Sequence, residues 1–257
     1  MKKAYSLRAS IAATALVGGC LFAGSALADC TTDNWSSLTN GDALTASGPA
    51  SGQARYVGRC SLAVDGGATA FVEDTSPDGE TSYRARFYVL TNALGDTSGT
   101  EIFETNAFTI DVVRDGNDVT FNVGDASSAG RVGWNSVEVH WDESSSNANL
   151  LVNSGDVADA VTGAVGSTPI TYARLGNLNG VGGSLIFDDF ESRRTETIGR
   201  LMPGDATGNG QVNSGDITSV VNEFLGLAVA AGVPDCNEDG QVNSGDITCV
   251  VNRFLGL

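Results

Sequence analysis

"GQVNSGDIT" stands at residues 210–218 and again, letter for letter, at residues 240–248, close to the end of a 257-residue chain. An identical segment repeated after thirty residues indicates a duplicated structural unit, in which each copy buries its apolar face against its neighbour. Asp205 and Asp235 stand at the same distance upstream of the two copies. Each unit therefore begins before the identical letters, and the residues at its start determine what it binds.

Both units fit a twelve-residue calcium-binding loop, "DATGNGQVNSGD" at 205–216 (loop one) and "DCNEDGQVNSGD" at 235–246 (loop two). Oxygen-bearing side chains stand at positions 1, 3, 5, 9 and 12, glycine at position 6 permits the sharp turn, and position 7 offers its backbone carbonyl. Position 9 is expected to act through water. The predicted ligands of two calcium ions are Asp205, Thr207, Asn209, Gln211, Asn213 and Asp216 in loop one, and Asp235, Asn237, Asp239, Gln241, Asn243 and Asp246 in loop two.

The alternative is a pair of polar turns rich in asparagine and glycine, without metal. Two such loops in tandem favour calcium over that alternative. Loop two has three carboxylates and loop one has two, so loop two is expected to bind first.

A short helix is predicted after each loop, because apolar residues recur there at i, i+3, i+4, i+7 and i+8. Asn213 and Asn243 are predicted N-caps, with an aspartate three residues on, and Gly226 and Gly256 end the helices. Each apolar stripe is expected to be buried against the other helix. The stripes consist of Ile217, Val220, Val221, Phe224 and Leu225 in the first copy and Ile247, Val250, Val251, Phe254 and Leu255 in the second.

The segment differs from an ordinary EF-hand, since Pro203 and Pro234 disfavour a helix entering each loop, and aspartate rather than glutamate closes position 12. A loop followed by an exit helix, twice over, resembles the type I dockerin, a module that binds cohesin domains on a scaffold. The resemblance covers about 203–257. It implies a cohesin-like partner, recognised at positions 10 and 11 in either of two orientations related by pseudo-twofold symmetry. Those positions are Ser214, Gly215, Ser244 and Gly245, where glycine departs from the commoner hydroxyl pair.

Residues 1–28 are predicted to be a secretory signal peptide, with Lys2, Lys3 and Arg8 before an apolar run and "SALA" before a cleavage site after Ala28. The alternative is a lipoprotein signal, "LVGGC", which would leave Cys20 lipidated. No other segment is predicted to span a membrane. The protein is therefore expected to be secreted or at the cell surface.

The chain is strongly acidic, with 14 Lys and Arg against 31 Asp and Glu and a net charge of −17. Loss of the signal peptide would remove three basic residues and no acidic one. We expect no binding to nucleic acid, because contacts with phosphate groups need positive charge on the protein. The acidity fits solubility in a saline exterior, divalent-cation binding, or both.

Four cysteines follow the predicted cleavage site, and an even number in an exported chain favours disulfides. Three pairings exist on paper. When the two repeats are aligned, Cys236 and Cys249 fall where the first copy has Ala206 and Ser219. Because one copy has both cysteines and the other has neither, we predict Cys236–Cys249, which leaves Cys30–Cys60.

Residues 29–199 are predicted to be a β-sandwich, ahead of the repeat region at 200–257. Segments of alternating character such as "SYRARFYVL" and "WNSVEVHWD" are separated by turns rich in Gly, Asn, Asp and Ser. The order of the strands, ending in "GGSLIFDDFESRR", resembles a concanavalin A-like or laminin G-like jelly roll. Members of such families include carbohydrate-binding lectins, glucan hydrolases and adhesion modules, and the fold alone does not choose among them.

No catalytic residue is assigned in the predicted sandwich. The acidic candidates, Glu138, Asp142, Glu143, Asp188, Asp189 and Glu191, lack the Glu-x-Asp-x-x-Glu spacing of jelly-roll glucanases and are expected on solvated strand faces. His140, the only histidine, is expected to be exposed. Of the three tryptophans that could stack on a sugar, Trp141 follows the apolar face and is expected in the core. Trp134 is the surface candidate for glycan binding, and Trp35 is left unassigned.

These observations favour a secreted calcium-binding protein that joins a glycan-recognition sandwich to a dockerin-like docking module, active in polysaccharide binding or breakdown. Two alternatives stay open. One is a glycoside hydrolase, acting on O-glycosyl bonds through an atypical active site. The other is a structural surface or adhesion protein whose repeat simply binds calcium.

Overall fold

The computed structural model describes residues 30–257 and the backbone of Lys3–Ala4. Apart from those two residues, the predicted signal peptide, with Cys20 and the cleavage site after Ala28, lies outside the described residues. No helix in the described part of the chain is long and apolar enough to cross a membrane.

Fifteen strands and two α-helices form the described part of the chain, as the mainly-β prediction required. The strands are β1 (Lys3–Ala4), β2 (Ser37–Thr39), β3 (Leu44–Ser47), β4 (Ser61–Val64), β5 (Ala70–Asp74), β6 (Ser82–Leu90), β7 (Thr97–Thr105), β8 (Thr109–Asp115), β9 (Asp118–Val123), β10 (Ala126–Ala129), β11 (Trp134–Asp142), β12 (Asn147–Val152), β13 (Val161–Ala164), β14 (Ala173–Asn177) and β15 (Leu185–Arg193). The helices are α1 (Ser214–Phe224) and α2 (Ser244–Leu255).

The strands form two antiparallel sheets. Sheet A has the order β13-β12-β11-β6-β15-β4-β3, with β1 paired to β15. Sheet B has the order β10-β9-β8-β7-β14-β5-β2. Neighbours that are distant in sequence, such as β6 and β15, pair because the chain crosses repeatedly between the sheets, as in a jelly roll.

The main core lies between the two sheets. Side chains alternate along each strand, so Tyr83, Ala85, Phe87 and Val89 of β6 all point into it. The Phe87 ring of sheet A stacks on that of Phe103 of sheet B, with centroids 5.5 Å apart. Trp141 is also fully buried in this core, which confirms the sequence prediction for it.

The outer face of sheet A carries a second apolar cluster, called here the outer-face cluster: Tyr56, Tyr88, Leu90, Trp134 and Val233. The Tyr56 ring stacks on Tyr88 at 3.8 Å, and the Trp134 ring meets Tyr56 edge-on at 5.6 Å. Val233 comes from the repeat region. A strand face that the alternating pattern marks as solvated is therefore covered by the C-terminal part of the chain.

Trp134 has no solvent exposure. The prediction that it lies at the surface is wrong, because the segment around Tyr56 and the repeat region close over this end of sheet A. A ring with no accessible face offers no platform for a sugar.

Helices α1 and α2 pack together through Val220 and Val250, which are completely buried with Ala206, Ala230 and Cys236. Both predicted N-caps are confirmed, and each forms a full capping box with the aspartate three residues on. The prediction that the whole apolar stripe is buried is wrong at the last turn. Phe224, Leu225, Phe254 and Leu255 are 48–60% exposed, because the contact between two short helices is centred on the valines in their middle.

Two disulfides link the predicted cysteines. Cys30–Cys60 joins the start of the sandwich to the residue before β4, and Cys236–Cys249 joins loop two to α2, with Cα–Cα distances of 5.6 and 5.9 Å. Both predicted pairings are confirmed.

Candidate metal centre

Loop one is held closed by the carboxylates at its two ends. Asp205 accepts hydrogen bonds from the backbone N–H groups of Gly208 (2.9 Å), Asn209 (3.0 Å) and Gly210 (2.7 Å). Asp216 accepts from both the N–H and the hydroxyl of Thr207, each at 2.8 Å. The Thr207 hydroxyl also lies 3.4 Å from Asp205 Oδ1, so the predicted position 3 contacts both position 1 and position 12.

Loop two repeats this arrangement with one more carboxylate. Asp235 accepts from Gly240 N at 2.7 Å and from Asp239 N at 3.2 Å. Asp246 accepts from Asn237 N at 3.1 Å, and the Asn237 amide donates to Asp239 at 3.0 Å. Positions 1, 3, 5 and 12 are linked through these bonds.

The closing aspartate of each loop also starts the following helix. Asp216 Oδ2 accepts from Asn213 N, and Asp246 Oδ2 accepts from Asn243 N, both at 2.8 Å. A carboxylate in the first turn is stabilised by the partial positive charge of the helix N-terminus. One residue therefore closes the loop and anchors the helix, which explains why the short helix begins where the loop ends.

The carboxylates at positions 1 and 12 of each loop are buried and form no ion pair with a basic side chain among the described residues. Asp205, Asp216, Asp235 and Asp246 are at most 7% exposed. Burial, with the nearby Asp246 and Asp239 charges, raises the pKa of Asp235 to about 8. Burial also raises the pKa of Asp246, and the Asp239 charge adds to that rise.

This donor set fits a hard divalent cation. A cation would offset the repulsion among buried carboxylates, and carboxylate, amide, hydroxyl and carbonyl oxygens are the ligands that calcium takes in proteins. No three His, Cys, Asp or Glu side chains converge as a ready-made cluster anywhere in the described residues. The predicted sites therefore depend on the amide, hydroxyl and backbone oxygens as well.

Residues 203–255 match the sequence model of the dockerin type I domain family. The C-terminal module is a type I dockerin domain. Dockerin domains bind calcium, in agreement with the oxygen-rich loops, and are typically extracellular or at the cell surface. The match does not include the sandwich, and no curated protein matches the chain in sequence.

Among solved structures, the chain is similar to the binding domain of botulinum neurotoxin DC, with 11% identity and a TM-score of 0.41 over 60% of this chain and 44% of that one. It thus spans less than half of the neurotoxin chain. It is also similar to the cellulose induced protein Cip1, with 15% identity and a TM-score of 0.41 over 63% of this chain and 91% of that one. At these values the likeness carries no conclusion about a ligand.

The predicted partner-recognition residues of the dockerin lie at the first two positions of each helix. Ser214 and Gly215 open α1, Ser244 and Gly245 open α2, and all four are exposed. Gly215 N and Gly245 N donate to the side chains of the N-caps, Asn213 and Asn243. The N–H groups of the same two asparagines donate to the closing aspartates, so the four residues stand beside the loop carboxylates. The first turn of each helix therefore holds these residues next to the closing aspartate of its loop.

The prediction that His140 is exposed is wrong. Its ring is 5% exposed, and Nε2 lies 2.7 Å from Glu138 Oε1. The Glu138 carboxylate also accepts from Ile198 N and Gly199 N, both at 2.8 Å. The segment that leads from β15 to the dockerin thus crosses this strand face and covers both side chains.

Two of the acidic candidates expected on solvated faces are buried instead. Glu138 is covered as described, and Asp188 accepts from Tyr56 N at 2.6 Å and Val57 N at 3.0 Å. Burial, with the neighbouring Asp189 charge, raises the pKa of Asp188 to about 7. The more exposed candidates are paired with arginines: Asp142 with Arg84, Asp189 with Arg86, and Glu191 with Arg193.

Sequence reasoning missed Glu238, at position 4 of loop two. It is 3% exposed, with a left-handed backbone φ of 62°. Loop one has Gly208 at the equivalent position, with a φ of 74°. The sequence does carry a signal for it, because loop two has glutamate at the position where loop one has glycine. A non-glycine residue adopts this left-handed conformation only at a cost in free energy, which indicates that its side chain makes compensating contacts.

Proposed function

We propose that this is a secreted protein in which a sandwich at 29–199 is joined to a calcium-dependent docking domain at 200–257. The observation that supports the proposal is the pair of loops whose buried aspartates at positions 1 and 12 are tied to helix caps, inside a dockerin domain. Each loop would hold one calcium ion, through the ligands predicted from the sequence.

The chain's own residues divide the work of binding. The aspartates at positions 1 and 12 supply buried charge, and the backbone N–H groups that they accept from hold the loop in its turn. Calcium supplies the positive charge that offsets carboxylate repulsion. Because those carboxylates also cap α1 and α2, binding would stabilise both helices.

Calcium titration of the full chain by isothermal calorimetry tests this proposal. After removal of metal by a chelator, two calcium ions should bind per chain, and the double variant Asp205→Ala/Asp235→Ala should bind none. The exposed control Asp118→Ala should bind as the parent does. Absence of calcium binding by the parent chain would contradict the proposal.

The proposed partner is a cohesin-type domain, as a dockerin implies. The two recognition positions are equivalent by sequence and both exposed, which supports docking in two orientations. Replacement of either Ser214 or Ser244 by aspartate should then leave binding through the other position. The double replacement should abolish binding, and Ser144→Asp, an exposed serine of the sandwich, is the matched control.

A pull-down with purified cohesin-type domains, in calcium and in chelator, gives the readout. Retention in calcium by the single variants but not by the double variant supports docking in two orientations. Loss with one single variant alone limits recognition to that position. Absence of binding to any cohesin-type domain would favour the alternative, a structural surface protein that simply binds calcium.

We propose that the sandwich recognises polysaccharide on the outer face of sheet B, since the outer face of sheet A is covered. Partly exposed aromatic rings lie there. The Arg174 guanidinium stands 4.4 Å from the Tyr172 ring centroid and 5.1 Å from that of Phe71, and it pairs with Glu73 and Glu104. Aromatic rings next to charged hydrogen-bonding side chains can bind a sugar, because the sugar ring stacks on the aromatic ring while its hydroxyl groups form hydrogen bonds.

Retention on a panel of polysaccharides tests this face. Tyr172→Ala should reduce retention by the full chain, whereas Asp118→Ala, at the exposed first residue of β9, should not. Equal retention by both variants would remove Tyr172 from the site. Release of reducing sugar from any member of the panel would instead support the glycoside hydrolase alternative.

A further inference from the structure

Loop two of the dockerin is bound to the sandwich through the side chain of Glu238. Its carboxylate accepts from the Tyr56 hydroxyl at 2.7 Å and pairs with Arg200 at 2.6 Å and with Arg131. Glu238 is 3% exposed. A buried carboxylate with two guanidinium partners and a phenol is fully compensated, and loss of one partner of such a network is costly.

The backbone of loop two is held from the sandwich as well. Trp134 N–H donates to the Glu238 carbonyl at 2.8 Å, and the Asn92 amide donates to the Asp239 carbonyl at 2.6 Å. The approach is so close that a Cβ added to Gly133 would overlap the Glu238 carbonyl oxygen. Positions 4 and 5 of the loop are therefore fixed by groups outside the dockerin.

Loop one is placed differently. Its position 4, Gly208, lies against Gly232 of the dockerin itself. Glu238 instead adopts a left-handed conformation, with a φ of 62°, which is unfavourable for a residue with a side chain. Its contacts with the sandwich offset this cost, so the two nearly identical loops differ in what holds their shape.

We propose that residues outside the matched dockerin complete the second calcium site: Arg131 and Tyr56 of the sandwich, with Arg200 of the connecting segment, act through Glu238 as positioning residues for loop two. This inference rests on the proposed calcium binding. Glu238 stands between two predicted ligands, Asn237 and Asp239, so its fixed backbone holds both in place before the ion arrives. A preorganised site binds more tightly because less ordering remains to be done on binding.

The coupling is reciprocal. If contacts with the sandwich strengthen calcium binding at loop two, calcium at loop two strengthens those contacts by the same factor. Loop one has no such contact through its position 4, and its link to the sandwich runs only through α1, where Glu223 pairs with Arg55. The affinity of loop two is thus the more direct report on the interface between the dockerin and the sandwich.

Amide NMR of the ¹⁵N-labelled full chain separates the two loops. The Gly210 and Gly240 N–H groups each donate to the first aspartate of their loop at 2.7 Å, so each signal reports calcium binding at its own site. Arg131→Gln lies outside the dockerin and removes one partner of Glu238. It should weaken the calcium affinity reported by the Gly240 signal about tenfold, a typical coupling between linked sites. The affinity reported by the Gly210 signal should not change.

Three further variants sharpen the test. Arg131→Lys, which keeps the charge, should recover part of the affinity. Glu238→Gly makes position 4 of loop two match loop one and removes the backbone strain, yet it should still weaken the Gly240 site. Glu101→Gln, an exposed glutamate of β7, controls for the change in net charge and should have no effect.

The outcomes distinguish this inference from the function on which it rests. If neither glycine signal responds to calcium in the parent chain, the calcium proposal itself fails. If both respond, and Arg131→Gln leaves the Gly240 titration unchanged or weakens both sites equally, the positioning role is overturned. Thermal unfolding of each variant shows whether it folds, and Arg131, with 39% of its side chain exposed, is the most exposed of the three partners of Glu238.

Discussion

Glu138 lies on a strand face that alternation marks as outward, yet its carboxylate is buried under the segment that leads to the dockerin. Burial raises its pKa, but the hydrogen bonds from His140, Ile198 N and Gly199 N lower it by more, so the pKa falls below the usual 4.5. A carboxyl with a lowered folded-state pKa contributes stability above its unfolded pKa. That stability is lost as the pH falls through the folded value.

We therefore expect Glu138→Gln to be less stable than the parent chain at about pH 6, with the difference reduced at an acidic pH below the lowered folded-state pKa of Glu138. Urea denaturation at the two pH values measures the difference in the free energy of unfolding. Asp142→Asn, which removes a more exposed partner of Arg84, is the comparison. An equal difference at both pH values would show that Glu138 carries no linked charge.

Trp134 belongs to the outer-face cluster, and its indole Nε1 has no hydrogen-bond partner among the described residues. Trp134→Ala should therefore destabilise the protein by about 3–5 kcal/mol through the cavity that it leaves. Trp134→Phe keeps most of the ring contact and loses no hydrogen bond, so it should cost much less. Denaturant unfolding of both variants measures this order, and a surface role for Trp134 would make both costs small.

At the scale of the element, the loop and its exit helix form one unit, because one aspartate closes the first and caps the second. The local signals were sufficient to predict this much. Asn213 and Asn243 were predicted as caps from their position before an apolar stripe, and both form capping boxes. The disulfides followed from comparison of two aligned copies.

The exposure of the last helical turn could not be predicted from the same stripe. Periodicity shows which side chains share a face, but not how far the partner helix extends along it. Val220 and Val250 meet their partner, whereas Phe224 and Phe254 do not. That distinction depends on how α1 and α2 cross.

The two loops should respond differently to loss of their first aspartate. In calcium, Asp235→Ala should lower the Tm more than Asp205→Ala, since loop two has three carboxylates and contacts with the sandwich. In chelator the difference should shrink, because burial, with the nearby Asp246 and Asp239 charges, raises the pKa of Asp235, and the substitution removes that unfavourable buried charge. Thermal unfolding followed by circular dichroism gives both values, and an equal loss in both conditions would contradict a metal role for Asp235.

At the scale of the whole molecule, the sequence predicted two parts but not their contact. The contact joins the Tyr56 segment, the start of β11, the segment at Arg200 and loop two, which lie far apart in the chain. Arg55 adds a buried ion pair with Glu223 of α1 at 2.6 Å. Since no short-range pattern relates such segments, Trp134, His140 and Glu138 were all expected in solvent and are all covered.

Hydrogen exchange of the full chain, with calcium and with chelator, measures whether calcium in the two loops stabilises a dockerin domain that is packed against the sandwich. With calcium we expect added protection in loops 205–216 and 235–246, in α1 and α2, and in the Trp134 segment, with strands β7–β9 of sheet B unchanged. Identical exchange throughout 203–257 in calcium and in chelator would contradict this expectation.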